Sequence, residues 1–218
     1  MKTNSEIRQE SLALLKGNWG SAVVVALVFL LLVYACSLVA TLLGMSTGES
    51  VGDSDGVTIQ LFSMLASILV VFPLTFSLIK LFLGFVRGEQ KIQVEDIFAG
   101  FKKPYYGKSI GVYILVAIFT FLWALLLIVP GIIKSLSYSL APYILADNPE
   151  LTANEAINQS MKMMNGHKMQ LFLILLGYLG FALLSILALG IPLLWLYPYY
   201  QVVLAKFYEE VKSEAVVA

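Results

Sequence analysis

The chain has 218 residues, of which 59% are hydrophobic and 13% charged, about half the charged share of an ordinary soluble domain, roughly 25%. That balance excludes a water-soluble fold of this length and points to a membrane protein. Fourteen Lys and Arg offset fourteen Asp and Glu, so there is no basic excess to neutralise phosphates, and nucleic acid is not an expected partner.

The first segment reads Thr3-x-x-Glu6, a capping box that starts a helix, with Ile7, Leu14 and Leu15 on one face and Gly17 placed to end it. No charge then occurs between Lys16 and Glu49 or between Asp55 and Lys80. A crossing takes about 20 apolar residues, so Gly17 to Gly48 holds one span and a polar tail, and Gly56 to Ile79 a second. The loop between them carries Glu49, Asp53 and Asp55. The apolar run is too long for a signal-peptide core and no cleavage is expected. Cys36, the single cysteine, sits mid-span and is expected to be a packing residue.

Val94, Ile97, Phe98 and Phe101 mark a second interfacial helix, followed by Lys102, Lys103 and Gly107. The charge-free run after Lys108 gives a third span, Ser109 to Ile133, which Pro130-Gly131 is expected to end. Ile132 to Ala146 then returns as a short fourth span with Lys134 near its start. Thr152-x-x-Glu155 is a second capping box, with Ala156, Ile157, Met161 and Met164 on one face. The run from Met169 to Ala205 is too long for one crossing, and Gly190-Ile191-Pro192 divides it into a hairpin. The expected fold is all-α: a polytopic membrane bundle, a single integral membrane domain over 1–218, with six transmembrane helices in three hairpins. An amphipathic interfacial helix precedes each hairpin.

At an offset of 149 residues Thr3, Glu6, Ser11 and Gly17 align with Thr152, Glu155, Ser160 and Gly166. Together with the weaker middle copy this suggests pseudo-repeats of about 1–80, 92–147 and 150–210. The second helix of each hairpin also holds a proline, Pro73, Pro142 or Pro198, and each frees the carbonyl four residues back, on Leu69, Tyr138 and Leu194. Such carbonyls need partners in protein or water. Two readings follow: plain helix packing, or a central cavity for a lipid or other amphiphile at the kinks, with Lys134, Tyr138, Pro142, Tyr143, Pro73, Pro198 and Tyr199 as candidate contacts.

All the Lys and Arg except Lys134 fall on the side of the two termini and the loops near 80–108 and 147–168, which the positive-inside rule makes cytoplasmic. Arg87, Lys91, Lys102, Lys103 and Lys108, interleaved with Phe101, Tyr105 and Tyr106, form a basic belt expected to attract anionic lipids. Trp19, Tyr105, Tyr106, Tyr199 and Tyr208 suit the aromatic girdle. Lys80 and Lys206 are read as snorkelling anchors. Lys134 either snorkels or meets a phosphate headgroup. Tyr34, Ser67, Thr75, Ser135, Ser139 and Tyr178 are among the polar groups within spans, which can knit helices or line a pore, and helix packing is the expected use. His167 is the only histidine, flanked by Gly166 and Lys168 rather than by metal ligands. Glu155, Ser160, Met164, Gly166, His167 and Lys168 are assigned to the third interfacial helix and its end. No catalytic residue, metal site or cofactor is expected, and no Asp or Glu lies deep in a span to couple protons.

The stretch Leu125 to Lys134 with Pro130-Gly131, then Tyr138, Ala141-Pro142-Tyr143, Asp147-Asn148-Pro149-Glu150, Gly166-His167-Lys168, Pro198-Tyr199 and Phe207-Tyr208, resembles the uncharacterised bacterial membrane proteins catalogued as domain of unknown function 975. The likeness runs upstream to Ile97-Phe98-x-Gly100-Phe101. More distantly it is similar to the membrane region that precedes the catalytic domain in some glycerophosphodiester phosphodiesterases, whose barrel finds no room among six spans. The resemblance implies a multi-pass protein of a bacterial plasma membrane and supplies no mechanism. The expected role is therefore non-enzymatic: an accessory, scaffold or membrane-organising protein, with the bilayer, its anionic lipids and another membrane protein as partners. Lipid or amphiphile binding at the proline kinks is the alternative.

Overall fold

A computed structural model describes residues 2–46 and 54–217. Glu49 and Asp53 lie outside the described residues, as do the side chains of Asp55 and Ser67. In hydrocarbon each backbone N–H and C=O needs a partner within the protein, and a long apolar run meets that demand as a helix. The described residues accordingly form α1 (Asn4–Leu15), α2 (Trp19–Ser46), α3 (Ser54–Val86), a 3-10 segment (Val94–Phe101), α4 (Tyr105–Leu126), α5 (Ile128–Tyr138), α6 (Ala141–Asp147), α7 (Ala153–Met163), α8 (Lys168–Leu187) and α9 (Leu193–Val217).

Local signals account for most of the boundaries. Thr3 and Thr152 each form the complete capping box with Glu6 and Glu155, and Gly17 and Gly166 take left-handed φ of 88° and 87° just past the ends of α1 and α7. Leu189 and Gly190, with φ of 57° and 75°, turn the chain between α8 and α9. The α4–α5 connection departs from expectation. The break is at Leu127, and Pro130 falls in the first turn of α5, where a missing N–H costs no helical bond. Gly131 lets the two helices cross closely, since a Cβ there would lie 2.8 Å from the Ala124 Cα.

Five helical stretches are long and apolar enough to cross a bilayer: Trp19–Val39, Ile68–Val86, Tyr105–Leu126, Ile128–Asp147 and Lys168–Leu187. The fourth is broken at Ser139 and Leu140 between α5 and α6. α9 differs because its apolar half, from Leu193 to Ala205, continues as the same helix into Lys206, Glu209, Glu210 and Lys212. The stretches divide into two layers. Those of α3 and α5–α6 are 61% and 56% buried within the chain, whereas those of α2, α4 and α8 are 22%, 11% and 17% buried. α3, α6 and α9 thus supply an inner core, with Phe76, Phe82, Ile144, Val202 and Phe207 fully enclosed, and α2, α4 and α8 turn apolar faces outward.

At the charged end of the bundle, α1 packs on α9, the 3-10 segment on α3, and α7 on α6. Their apolar faces point inward: Ile7 and Leu15 of α1, Ile97 of the 3-10 segment, and Ala156 and Ile157 of α7 are buried by protein, as is Met164 just beyond α7. Two docks are sealed by serine. Ser77 on α3 donates to the Pro73 carbonyl (2.8 Å) and accepts the Gly100 N–H (2.6 Å). Ser160 on α7 donates to the Ser137 carbonyl (2.7 Å) and accepts the Leu140 N–H (3.2 Å), filling the gap between α5 and α6. Ser160→Ala leaves that buried carbonyl and N–H unpaired and should lower stability by about 1–3 kcal/mol. Ser11→Ala, whose hydroxyl serves its own helix at the Ile7 carbonyl, should cost less, and thermal melts of both variants in detergent provide the check.

Candidate functional site

The ends of α3 and α6 and the charged half of α9 converge on one carboxylate. Asp147, the last residue of α6, meets Arg87 just past α3 (Nη1 to Oδ1, 2.6 Å) and Lys212 of α9 (Nζ to Oδ2, 2.6 Å), and accepts the Tyr208 hydroxyl (2.7 Å). Arg87 also donates to Glu209 through Nε (2.9 Å) and Nη2 (2.6 Å). The Asp147 side chain is 6% exposed. Two cations and two carboxylates balance, and the hydrogen bond to Asp147 raises the Arg87 pKa further above its ordinary value. The charges offset one another, so the cluster clamps α3, α6 and α9 together. A second network holds α1: Lys2 pairs with Glu10 (2.8 Å) and Glu210 (3.0 Å), and Lys206 with Glu10 (3.2 Å). This order makes α1 antiparallel to α9. Gln170 and Asn4 tie α1 to the start of α8 through the Lys2 and Gln170 carbonyls.

The candidate contacts named from sequence lie at separate places. Lys134 stands over the Trp123 ring, 4.7 Å from its centroid. Tyr138 packs near Phe119 (6.2 Å), and Tyr143 stacks on Tyr208 (5.4 Å) beside the Asp147 clamp. Pro73 and Pro198 are within helices, and the freed Leu69 carbonyl has the Tyr106 hydroxyl at 3.5 Å. Pro142 is not a kink in a continuous helix: the chain turns at Ser139–Leu140, and Pro142 falls in the first turn of α6, the position a proline favours. Glu155 caps α7, Ser160 and Met164 are buried, and His167 Nε2 is 3.9 Å from Glu214. Gly166 and Lys168 bracket the turn into α8. Among the described residues no group of three or more His, Cys, Asp or Glu could hold a metal ion.

The basic belt is divided. Arg87 is taken by the clamp, and Lys108 donates to the Pro149 and Leu151 carbonyls at the foot of α7. Lys80, Lys102 and Lys103 instead line a polar cavity of about 330 Å³ with Gln90, Asp96 and Tyr105, where Lys80 lies 3.9 Å from the Tyr105 ring centroid. On the other flank an apolar groove of about 390 Å³ runs between α1, α8 and α9, lined by Leu12, Trp19, Phe181, Leu184, Trp195 and Tyr199 among others. Tyr199 is the one candidate contact that faces it. A smaller pocket beside it holds Arg8, Gly177, Tyr178 and Tyr200 and shares Phe181, Leu196 and Tyr199 with the groove.

Sequence reasoning missed Arg8 and the pairing of Arg87 with Asp147 and Glu209. For Arg8 a signal existed: it shares a helical face with Leu12 and Leu15, an unusual place for a cation. For the clamp no local signal exists, because its partners are 60 and 122 residues apart.

Comparison with known proteins yields a family described as "Protein of unknown function (DUF975)", matched over residues 1–137 and 125–215. The match extends upstream of the motifs that carry the resemblance in the sequence. No curated protein and no solved structure matches the chain.

If the clamp orders the inner helices, Asp147→Asn leaves Lys212 without its carboxylate and Arg87 with Glu209 alone, and should cost about 3 kcal/mol. Combining it with Arg87→Met should recover part of that loss. Thermal or denaturant unfolding of the two variants provides the comparison.

Proposed function

The chain belongs to that uncharacterised family, which supplies no activity, and we propose from the bundle's own geometry that it is a non-enzymatic membrane scaffold serving as an accessory to another membrane protein. One observation carries this reading: the charged and polar groups of the Asp147 clamp and the serine docks are paired with one another, while α2, α4 and α8 present bare apolar faces. A protein built this way acts through its outer surface. Phe121, Leu122, Leu125 and Leu126 on α4 and Leu183, Leu184 and Leu187 on α8 are among its exposed apolar positions.

The proposal includes a topology. The apolar half of α9 serves as the sixth span, completing three hairpins, and the packing of α1 on α9, the 3-10 segment on α3 and α7 on α6 supports a threefold pseudo-repeat that closes on itself. The end that bears all the Lys and Arg but Lys134 is assigned to the cytoplasm with both termini, in a bacterial plasma membrane. The distant likeness to the membrane region of glycerophosphodiester phosphodiesterases belongs to the same proposal, as a membrane-facing module rather than a catalyst. The alternative of an amphiphile site at the three prolines is weakened by the stacked rings around Tyr143 and by the position of Pro142.

The test is extraction of the protein from its own membrane into polymer nanodiscs, followed by native mass spectrometry. The scaffold reading expects a second membrane protein at fixed stoichiometry, lost when Leu122 and Leu126 are both changed to Trp. Wild-type particles that hold no second protein would overturn it, as would a partner indifferent to the α4 face.

A further inference from the structure

Arg8 is the basic residue of α1, and its guanidinium lies against α8. Lys2 and Lys206 find carboxylates on α1 and α9, whereas among the described residues no carboxylate or hydrogen-bond acceptor engages Arg8. Its guanidinium reaches Gly177 on α8, where any Cβ would overlap it. Gly177 is nine residues beyond the first residue of α8, about 14 Å along the helix axis, so the guanidinium lies against the middle of the apolar stretch of α8. A cation at that depth is costly unless an anion or water accompanies it.

The surroundings describe the missing partner. Arg8 opens onto a small pocket with Tyr178, Tyr199 and Tyr200, whose hydroxyls add hydrogen-bonding capacity. That pocket shares Phe181, Leu196 and Tyr199 with the apolar groove of about 390 Å³, a volume within the range of roughly 300–1,000 Å³ typical of small-ligand sites. The groove opens sideways between α1, α8 and α9 and is lined with Leu12, Trp19, Leu184 and Trp195. A planar guanidinium beside a membrane-level apolar groove matches a phosphate with an attached acyl chain, because the fork can donate two parallel hydrogen bonds to phosphate oxygens.

We propose that this groove binds one anionic phospholipid, its phosphate on Arg8 and an acyl chain along the face formed by Leu12, Leu184 and Trp195. The site is distinct from the three prolines and does not depend on the scaffold reading, since lipid retention and partner retention are read separately.

The full-length chain is reconstituted into nanodiscs of phosphatidylglycerol and phosphatidylcholine in equal parts, and the lipid retained per chain after detergent release is counted by native mass spectrometry. One phosphatidylglycerol per chain is expected, in preference to phosphatidylcholine. Arg8→Gln should lower its occupancy about tenfold, and Arg8→Lys should be intermediate. Leu184→Trp, at a position 61% exposed, should block the groove with helicity and melting temperature unchanged, so the test survives poor folding of the Arg8 variants. Equal retention of the two lipids by the wild-type chain would overturn the proposal. So would phosphatidylglycerol retention untouched by Arg8→Gln or by Leu184→Trp.

Discussion

The arrangement depends on the Asp147 carboxylate. Three inner helices reach the charged end from different parts of the chain, and each brings a group that would be expensive to leave alone in a half-buried site: a guanidinium after α3, a carboxylate at the end of α6, and an ammonium, a carboxylate and a phenol on α9. Bringing them together replaces several desolvated charges with one neutral cluster. It also sets the relative register of α3, α6 and α9. Pairs of this kind gain little net stability over apolar packing, yet removing one member leaves the others uncompensated, and that asymmetry makes such a cluster a device of specificity.

The same demand, applied to backbone groups, explains the smaller features. A membrane helix that bends or breaks exposes a carbonyl or an N–H that lipid cannot satisfy. At Pro73 the neighbouring carbonyls meet the hydroxyls of Ser77 and Tyr106, and at the α5–α6 break the hydroxyl of Ser160 serves both sides. In both places the partner arrives from another helix: Tyr106 on α4 serves α3, and Ser160 on α7 serves the α5–α6 break. The short helices at the charged end are thereby fastened to the bundle, and residues such as Ile7, Leu15, Ile97, Ala156 and Ile157 on their apolar stripes are buried against protein. The outer faces of α2, α4 and α8 remain free for the bilayer and its contents.

What was legible in the sequence was what is local. The capping boxes at Thr3 and Thr152 involve residues three apart, and the Gly190-Ile191-Pro192 turn follows from backbone preference alone. The α4–α5 turn was expected at Pro130-Gly131 and occurs at Leu127, since a proline that can stop a helix can also begin one. The inward direction of the α7 face was hidden because an apolar stripe looks the same against lipid or protein. The fate of Arg87 and Lys108 was hidden for a different reason. Their partners lie 60, 122, 41 and 43 residues away, and only the fold brings them near. Arg8 stood on a face with Leu12, a clue that composition and charge tallies average away.

The division into an enclosed inner core and a bare outer layer is the claim on which the functional account stands. It is tested most directly by photolabelling the reconstituted protein with phospholipids that carry a carbene precursor on the acyl chain, then mapping the adducts by peptide mass spectrometry. The account predicts adducts on α2, α4 and α8, at residues such as Leu31, Leu125 and Leu184, with Phe76 to Phe82 and Leu140 to Ala146 spared. Labelling of Ile144 or Phe82 as strong as that of Leu125 would contradict it.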